Sequence, residues 1–309
     1  MRNKITVVGA GNVGASCALW LAGRELGDIV LVDIPQTGTM PMGKALDIVE
    51  AGPVYGFSTR ITGATDYGPT ENSDVVVITA GFPRKPGMSR EDLVSKNQEI
   101  ITGVMSHILQ TSPNAIVIVV TNPLDTMVYL AHRLSGWPRT RVFGQAGQLD
   151  SARMAAFIAM ELNVAVTNVQ ASVMGGHGDE MVPLVRYTTV AGIPIRELLP
   201  ADKVQAIVER TRTGGTEIVN LLGTSAYYAP GAAAARMVEA ILRDQKLILP
   251  CSAILEGEYG LRDIAFGVPV KLGRRGIEHI LEVELDADEK AMLQKSVDLI
   301  RGTLSALKL

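Results

Sequence analysis

The chain has 309 residues, and its 29 lysines and arginines nearly balance 32 aspartates and glutamates, giving a net charge of -3. A hydrophobic content of 47% is enough to build the core of one large domain or two ordinary ones. The balanced charge, with no basic stripe, argues against a nucleic-acid-binding protein. No apolar run reaches the ~18 residues that a membrane span needs, so no membrane association is expected either.

The two cysteines indicate whether a disulfide or a metal site is expected, and the first residues indicate the cellular location. Cys17 and Cys251 lie far apart and outside any cluster of cysteines and histidines, so we expect neither a disulfide nor a metal site. Cys17 falls in an apolar helical pattern typical of a core position. The opening MRNKITVVGAG leads straight into a predicted strand, without the basic and apolar regions of a secretory signal. We therefore expect a cytoplasmic protein.

Short apolar runs alternate with amphipathic segments through the first half of the chain. Continuous runs rich in β-branched residues predict buried strands at Ile5–Val8, Ile29–Val32, Val75–Thr79 and Ala115–Val120. Helical periodicity predicts helices from about Val13 to Arg24 and from Glu91 to Leu109. Continuous apolar strands separated by helices are typical of a parallel sheet covered on both faces. We therefore predict an α/β fold with a doubly wound parallel sheet of the Rossmann type.

A short loop, AGFPRKPGMSRED, joins one of these strands to the next helix and carries Arg84, Lys85 and Arg90. Ser89 and Asp92 have the spacing of a capping box, which predicts that the helix begins there and places Arg90 in its first turn. The loop therefore leaves the carboxyl end of a sheet strand, where doubly wound sheets bind their ligands. It is either a solvated turn with clustered cations or a loop that carries positive charge onto an anionic ligand.

The pattern changes after about residue 145. Helical patterns predict helices over 147–161 and 202–242 and a last helix over Asp286–Leu307. Between them we predict strands at Val169–Val173 and Ile248–Leu255 and Gly/Pro turns at VAGIPI and FGVPVKLG. Asp286 and Glu289 have capping-box spacing at the start of that last helix. We therefore predict a Rossmann domain over residues 1–145 and an α+β catalytic domain over 146–309. No linker separates them, so the two should pack as one body.

The sequence GAGNVG at 9–14 fits the G-x-G-x-x-G pattern of dinucleotide-binding turns. The pattern alone is a weak signal, but here it follows a predicted strand, opens a helix and precedes Asp33 at the end of the next strand. Gly9 permits the tight turn, Gly11 lets the backbone approach a pyrophosphate, and Gly14 lets the helix pack on the sheet. Asp33 would bind ribose hydroxyls and repel a 2′-phosphate, and the next three residues supply no cation. NAD is therefore predicted rather than NADP, and a glycine turn without a ligand is the alternative.

Four polar residues later in the chain are candidates for chemistry. His177 lies in MGGHGDEMVP after a predicted strand; a lone histidine is often an ordinary residue, but the flanking glycines leave backbone space for a ligand. Asp150 and Arg153 in GQLDSARM share a helix face. They could form a simple ion pair, or Asp150 could orient an imidazole while Arg153 binds a carboxylate. Asn122 in VTNPLD ends a strand, as a turn former or as a site residue.

Taken in order, GAGNVG, GFPRKPGMSRED, TNPLD, GQLDSAR and MGGHGDEMVP resemble the lactate/malate dehydrogenase family, over essentially the whole chain. The likeness is greatest to the malate dehydrogenases of the lactate-dehydrogenase-like type. It implies NAD as cofactor and reversible hydride transfer between (S)-malate and oxaloacetate, in a homodimer or a homotetramer. L-lactate, or a broader range of 2-hydroxy acids, is the alternative substrate.

The same resemblance implies roles for individual residues. His177 would transfer the proton, with Asp150 as its carboxylate partner, and Arg153 would bind the carboxylate common to these substrates. Arg90 would polarise the reacting carbonyl, and Arg84 would face the far end of the substrate and set specificity. The cationic loop is then expected to close over the substrate, while Lys85 of the same loop stays solvated.

Cofactor contacts are implied by the matching motifs as well. Asn122 would contact both the substrate and the nicotinamide side of the cofactor, and Asn97 would contact the cofactor. The full set of implied cofactor contacts is Gly9, Gly11, Asn12, Val13, Gly14, Asp33, Asn97, Val120 and Asn122.

Two other function classes fit the sequence less well. NAD-dependent glycosidases share the glycine-rich opening but need a metal site with cysteine and histidine, and neither cysteine here lies near a histidine in sequence. A dinucleotide sensor would explain the residues from Gly9 to Asp33. It would leave Arg84, Arg90, Arg153 and His177 without a purpose. An assay of NADH oxidation with oxaloacetate separates these classes.

Overall fold

The computed structural model describes residues 2–83 and 89–308. Arg84 and Lys85 lie outside the described residues, and so does the side chain of Arg90, whose backbone begins a helix. Within the described ranges, no helix is both long and apolar enough to cross a bilayer.

The first half of the chain alternates strands and helices, as predicted. Its elements are β1 (Lys4–Val8), α1 (Asn12–Gly23), β2 (Asp28–Val32), α2 (Met40–Tyr55), β3 (Ile61–Ala64), β4 (Val75–Ile78), α3 (Arg90–Thr111), β5 (Ile116–Val119), α4 (Leu124–Ser135) and β6 (Val142–Gln145). The capping box that opens α3 is confirmed: the Asp92 N–H donates to the Ser89 hydroxyl at 3.0 Å, and the Ser89 N–H donates to the Asp92 carboxylate at 3.3 Å.

These six strands are parallel and lie in the order β3-β2-β1-β4-β5-β6. The chain runs outward from β1 to β3 on one side and from β4 to β6 on the other, so the order reverses between β1 and β4. Ligands of doubly wound sheets bind outside the carboxyl ends of the strands at that reversal. The glycine-rich turn after β1 and the described residues 79–83 after β4 both leave the sheet there.

The second half adds helices and antiparallel strands. Its elements are α5 (Gly147–Leu162), β7 (Val169–Gln170), β8 (Val173–Met174), β9 (Val182–Pro183), β10 (Thr189–Val190), β11 (Ile193–Pro194), α6 (Ile195–Leu198), α7 (Ala201–Leu222), α8 (Tyr228–Leu242), β12 (Leu247–Glu256), β13 (Arg262–Gly273), β14 (Gly276–Ile280) and α9 (Ala287–Leu304). The predicted capping box of the last helix is present between Asp286 and Glu289.

One sheet runs through both halves of the chain. Strands β12, β13 and β14 join the parallel strands antiparallel to β6, which gives nine strands among the described residues. Two apolar clusters cover its faces. Phe143 and Phe266 lie in one cluster, and Ile78, Ile101 and Met105 lie in the other; all five are fully buried. Because the core crosses the predicted boundary at residue 145, the two halves pack as one body.

Two local predictions for the second half are wrong. The run Val169–Val173 is not one strand, because the chain changes partners within it: β7 pairs with β10, whereas the Val173 N–H donates to the Ser151 hydroxyl at 2.9 Å and β8 pairs with β9. The segment FGVPVKLG is not a turn but part of β13. Its Pro269 lies opposite Pro250 of β12, so both residues without an N–H fall at one position of the ladder.

Candidate active site

The glycine-rich turn after β1 has the geometry that the motif predicts. Gly9 has a φ of +100°, and a Cβ there would lie 2.6 Å from the Ala80 backbone nitrogen. A Cβ on Gly14 would overlap the Gly9 carbonyl oxygen, so only glycine lets α1 pack this closely on the turn. A Cβ on Gly11 would meet open space within 4 Å. That space is where a ligand could approach the backbone.

The N-terminus of α1 faces this open space. Gly11 is its N-cap, and within the described ranges no side chain caps the helix and no acidic residue lies in its first turn. The free N–H groups and the helix dipole therefore favour an anion at this end. A pyrophosphate has the charge and the acceptor oxygens that such a site binds.

Asp33 lies at the end of β2, beside the turn. Its carboxylate accepts the Ala10 N–H at 2.6 Å and the Ile34 N–H at 2.8 Å, which fixes it against the glycine-rich segment. Sequence analysis missed Lys44 of α2, whose Nζ donates to the Ala10 carbonyl oxygen at 2.8 Å. No spacing in the sequence connects Lys44 with the turn, because the contact depends on how α2 packs.

An apolar cavity of 470 Å³ extends from Asp33 along the ends of β1, β2 and β4. Ile34, Ile100 and Val104 contribute to its lining, and the ring of Tyr67 stacks on His107 with 4.3 Å between ring centroids. An apolar cavity beside a carboxylate suits an adenine ring and its ribose. The residues present therefore fit the adenosine half of NAD.

Asn97 of α3 is buried and holds two strand ends together. Its Oδ1 accepts the Phe82 N–H at 2.6 Å, and its Nδ2 donates to the carbonyl oxygens of Phe82 at 3.2 Å and Asn122 at 2.6 Å. Both protons of its amide are therefore used by the backbone. A direct contact with the cofactor stays a prediction: a cofactor acceptor would have to displace one of the two Nδ2 bonds, whereas Oδ1 has a second lone pair for a cofactor donor.

His177, Asp150 and Arg153 form one hydrogen-bonded array. The His177 Nδ1 lies 2.9 Å from one carboxylate oxygen of Asp150, and Arg153 Nη1 donates to the other at 3.1 Å. The Asp150 side chain is 2% exposed and that of Arg153 10% exposed, whereas His177 retains 19%. The carboxylate is thus buried behind the imidazole and fixes its orientation, with Nδ1 as the protonated nitrogen.

The electrostatics of the array favour the charged imidazole. Burial alone would lower the pKa of His177, but the charges of Asp150 and Asp125 and the hydrogen bond to Asp150 outweigh burial and the opposing charge of Arg153. The pKa of His177 is therefore raised above its ordinary value. An imidazole that carries its proton near neutrality can act as an acid in one direction and as a base in the other.

A cavity of 370 Å³ adjoins the array and collects residues from both halves of the chain. Val13, Val120 and Asn122 of the first half line it together with His177 and Arg153 of the second half. Ser225, to which sequence analysis assigned no role, also lines it. A second cavity, of 460 Å³, lies on the α9 side of His177. Of the predicted substrate contacts, Arg84 and the Arg90 side chain lie outside the described residues.

The glycines around His177 differ in purpose. A Cβ on Gly178 would meet nothing within 4 Å, as expected for space left to a ligand. A Cβ on Gly175 would come within 3.1 Å of Val182, and one on Gly176 within 3.0 Å of Ile300. The expectation of open backbone space is therefore wrong for Gly175 and Gly176, which are small because β9 and α9 pack against them.

Sequence analysis also missed three side chains at this site. Asp125 is the last letter of TNPLD, and its carboxylate accepts the His177 N–H at 3.0 Å. Gln145 lines the cavity at the end of β6, and its buried Nε2 has no partner among the described residues. Arg212 of α7 adds a second cation to the lining and donates from Nη2 to Met292 Sδ at 2.8 Å. Of the three, only Asp125 lies in one of the motifs singled out in the sequence, and no role was predicted for it there.

Comparison with known proteins covers both halves of the chain. Residues 3–144 match the family model for the lactate/malate dehydrogenase NAD binding domain, and residues 147–307 match the model for the lactate/malate dehydrogenase alpha/beta C-terminal domain. The predicted Rossmann fold and the predicted cofactor are thereby confirmed.

Individual relatives align over almost their whole length. A malate dehydrogenase of Roseiflexus sp. (strain RS-1) is 57% identical over 309 residues, covering 100% of this chain and 99% of that protein. The structure of malate dehydrogenase from Salinibacter ruber is 55% identical, with a TM-score of 0.94 over 98% of this chain and 97% of that one. A Cryptosporidium parvum lactate dehydrogenase, complexed with lactic acid and nicotinamide adenine dinucleotide, is 39% identical with a TM-score of 0.94, covering 99% and 98% of the two chains. Both the sequence and the fold thus show that this chain belongs to the lactate/malate dehydrogenase family.

Proposed function

We propose that the chain is an NAD-dependent malate dehydrogenase that interconverts (S)-malate and oxaloacetate. The observation that carries this proposal is the array of His177, Asp150 and Arg153, which places a proton carrier and a carboxylate-binding cation side by side on one cavity. The 57% identity to a malate dehydrogenase over the full length supports the substrate class. Rates of NADH oxidation with oxaloacetate and with pyruvate test the proposal.

His177 is the proposed proton carrier. Its Nδ1 is held by Asp150, so Nε2 is left to exchange a proton with the hydroxyl or carbonyl oxygen of the substrate. Malate oxidation needs the neutral imidazole, which takes the hydroxyl proton, and oxaloacetate reduction needs the imidazolium, which returns it. Asp150 stabilises the imidazolium without taking the proton itself.

Arg153 is the proposed contact for the carboxylate next to the reacting carbon. One nitrogen of its guanidinium is held by Asp150, which fixes the side chain and leaves other N–H groups for a bidentate contact. From the motif, Arg90 would polarise the carbonyl and Arg84 would bind the second carboxylate. Asn122, at the end of the strand, would contact substrate and cofactor together.

The cofactor would lie along the carboxyl ends of the parallel strands. The open space at Gly11, the uncapped start of α1 and the carboxylate of Asp33 would hold its diphosphate and adenosine ribose. When bound, NAD supplies the hydride acceptor of the reaction, and NADH the donor. Residues 1–145 would therefore bind the cofactor, and residues 146–309 would supply most of the substrate contacts.

We expect a strong preference for NAD over NADP. Asp33 would repel a 2′-phosphate, and Ile34, Pro35 and Gln36 offer no cation to offset that repulsion. Replacing Asp33→Ser together with Ile34→Arg should narrow the ratio of kcat/KM for the two cofactors. Equal kcat/KM of the wild type with NADH and NADPH would contradict the assignment of Asp33.

The proposal includes self-association into a homodimer or homotetramer. Large apolar side chains are exposed on two helices: Val54 is 91% and Tyr55 73% exposed on α2, and Leu221 is 78% exposed on α7. Exposed apolar side chains of this size are typical of surfaces that bind another protein. Sedimentation equilibrium should give at least twice the 33.0 kDa chain mass. A mass of one chain at micromolar concentration would contradict it.

We infer a cytoplasmic location from the cysteine chemistry. Cys17 and Cys251 are both free and buried, and burial raises the pKa of the Cys17 thiol to about 12. Free thiols kept as small core residues are typical of proteins in a reducing compartment.

A further inference from the structure

Asp125 is a buried carboxylate that contacts the backbone of His177. It is 5% exposed, and within the described part of the chain no lysine or arginine forms an ion pair with it. Its Oδ2 accepts the His177 N–H at 3.0 Å, and its Oδ1 accepts the Ser252 hydroxyl proton at 2.7 Å. A buried carboxylate without a cation is costly, so its presence beside the proton carrier calls for a function.

We propose that Asp125 is a positioning residue that, with Asp150, holds the His177 imidazole in its protonated state and fixes the backbone that carries it. This inference rests on the proposed role of His177 as the proton carrier. Two carboxylates then stabilise the imidazolium: Asp150 contacts the ring, and Asp125 accepts the backbone N–H of the same residue.

Local structure offsets part of the cost of an ionised carboxylate at Asp125. It lies in the first turn of α4, where the helix dipole stabilises a negative charge. Burial raises the pKa of Asp125 above its ordinary value, and the hydrogen bonds from Ser252 and from the His177 backbone, together with the charge of His177, offset only part of that rise. Both oxygens have a donor, so the charge is held in place without a counter-ion other than the imidazolium.

The other charged groups around His177 do not duplicate this contribution. The groups that face it are Asp150 and Arg153 from α5, Asp125 from α4, Asp179 and Glu180 from its own loop, and Arg212 across the cavity from α7. Helix α9 contributes the uncharged hydroxyl of Ser296, which accepts the Gly176 N–H at 2.7 Å. Arg153 binds Asp150 and offsets part of its charge, whereas no described cation offsets Asp125. Removal of the Asp125 charge should therefore lower the pKa of the His177 imidazole.

The test is Asp125→Asn, which preserves the shape and the hydrogen bonds. Its amide oxygen can still accept the His177 N–H, and its NH₂ can donate to the Ser252 oxygen. NMR titration of the wild type should resolve four histidines, and the signal missing in His177→Asn identifies His177. We expect the pKa of His177 to fall by about one pH unit in Asp125→Asn, since an opposite charge in close range shifts a pKa by ~1–3 units. The control, Asp298→Asn, removes one exposed carboxylate from α9 and should leave this pKa unchanged.

Kinetics in both directions separate this effect from a structural defect. Above both pKa values, oxaloacetate reduction by Asp125→Asn should be about tenfold slower than by the wild type, because less imidazolium remains. Below both values, malate oxidation should be about tenfold faster, because more neutral imidazole is present. A variant that is merely misfolded loses rate in both directions at every pH, and that result would overturn the proposal, as would an unchanged pKa. If His177→Asn itself stays active, the proposed function fails first.

The wild type provides a second measurement that does not depend on the variant folding. The amide proton of His177 donates to a charged acceptor, so it should resonate downfield of the other amides in residues 175–179 at neutral pH. It should move upfield in acid as the Asp125 carboxylate gains its proton. An amide shift typical of a neutral acceptor at neutral pH would mean that Asp125 carries no charge there.

Discussion

His177→Asn is expected to lose most of its turnover in both directions, by ~100- to 10,000-fold, because positioned proton transfer contributes about that much to a rate. The imidazole is held at 2.9 Å from a carboxylate that is 2% exposed, and although burial lowers its pKa, the charges of Asp150 and Asp125 raise that pKa above the ordinary value of a histidine. Asparagine keeps a polar side chain of similar length but cannot carry the proton. Steady-state rates of NADH oxidation and malate oxidation measure the loss.

The binding of NADH by this variant, followed by fluorescence, should stay close to normal, since the proposed cofactor contacts lie on the first half of the chain. His279→Asn is the matched control, because His279 is exposed on β14, away from the cavity. Its turnover should equal that of the wild type. If His177→Asn kept more than about a tenth of the wild-type rate, the proton would have to move through another group.

Arg84→Gln is expected to reduce the preference for oxaloacetate over pyruvate, mainly through loss of activity on oxaloacetate. Oxaloacetate brings two carboxylates into the site, and Arg153 is the proposed contact for one of them. A second carboxylate in a closed, dry site needs its own cation, because an unpaired buried charge is costly. Loss of one partner of such a pair typically costs ~2–5 kcal/mol, or roughly 30- to several-thousand-fold in kcat/KM. Activity on pyruvate should rise somewhat, since its methyl group no longer faces a cation.

Lys85→Gln is the matched control, because it removes a charge from the neighbouring position of the same loop. We expect Lys85 to be solvated, so the ratio of kcat/KM for the two keto acids should change little. Equal effects of the two substitutions would mean that the loop acts through its total charge. An unchanged ratio in Arg84→Gln would remove Arg84 as the specificity residue.

The parts of the site that could be predicted from sequence are those fixed by local chemistry. Gly9 and Gly14 could be assigned because backbone conformation and close packing leave no alternative to glycine, and Asp33 because it ends the next strand. The start of α3 followed from a capping box contained in four residues. Each of these features depends on neighbours in the chain, and a pattern of residues is enough to describe them.

The parts that could not be predicted depend on contacts between distant segments. Asp125 and Ser252 are separated by 127 positions and meet only because β12 joins the sheet beside β6. Lys44 reaches the glycine-rich turn through the packing of α2. Gly176 looked like space for a ligand, although it makes room for Ile300 of α9. No periodicity or motif spacing in the sequence predicts these contacts, because each joins segments that are far apart in the chain.

The most direct measurement is the kcat/KM of the wild type for oxaloacetate and for pyruvate, each with NADH at neutral pH. If Arg84 binds the second carboxylate of the substrate, oxaloacetate should be preferred by at least about three orders of magnitude in kcat/KM. That ratio would separate this chain from lactate dehydrogenases, one of which shares its fold with a TM-score of 0.94. Equal values for the two keto acids, or a preference for pyruvate, would contradict the assignment of malate and oxaloacetate as its substrates.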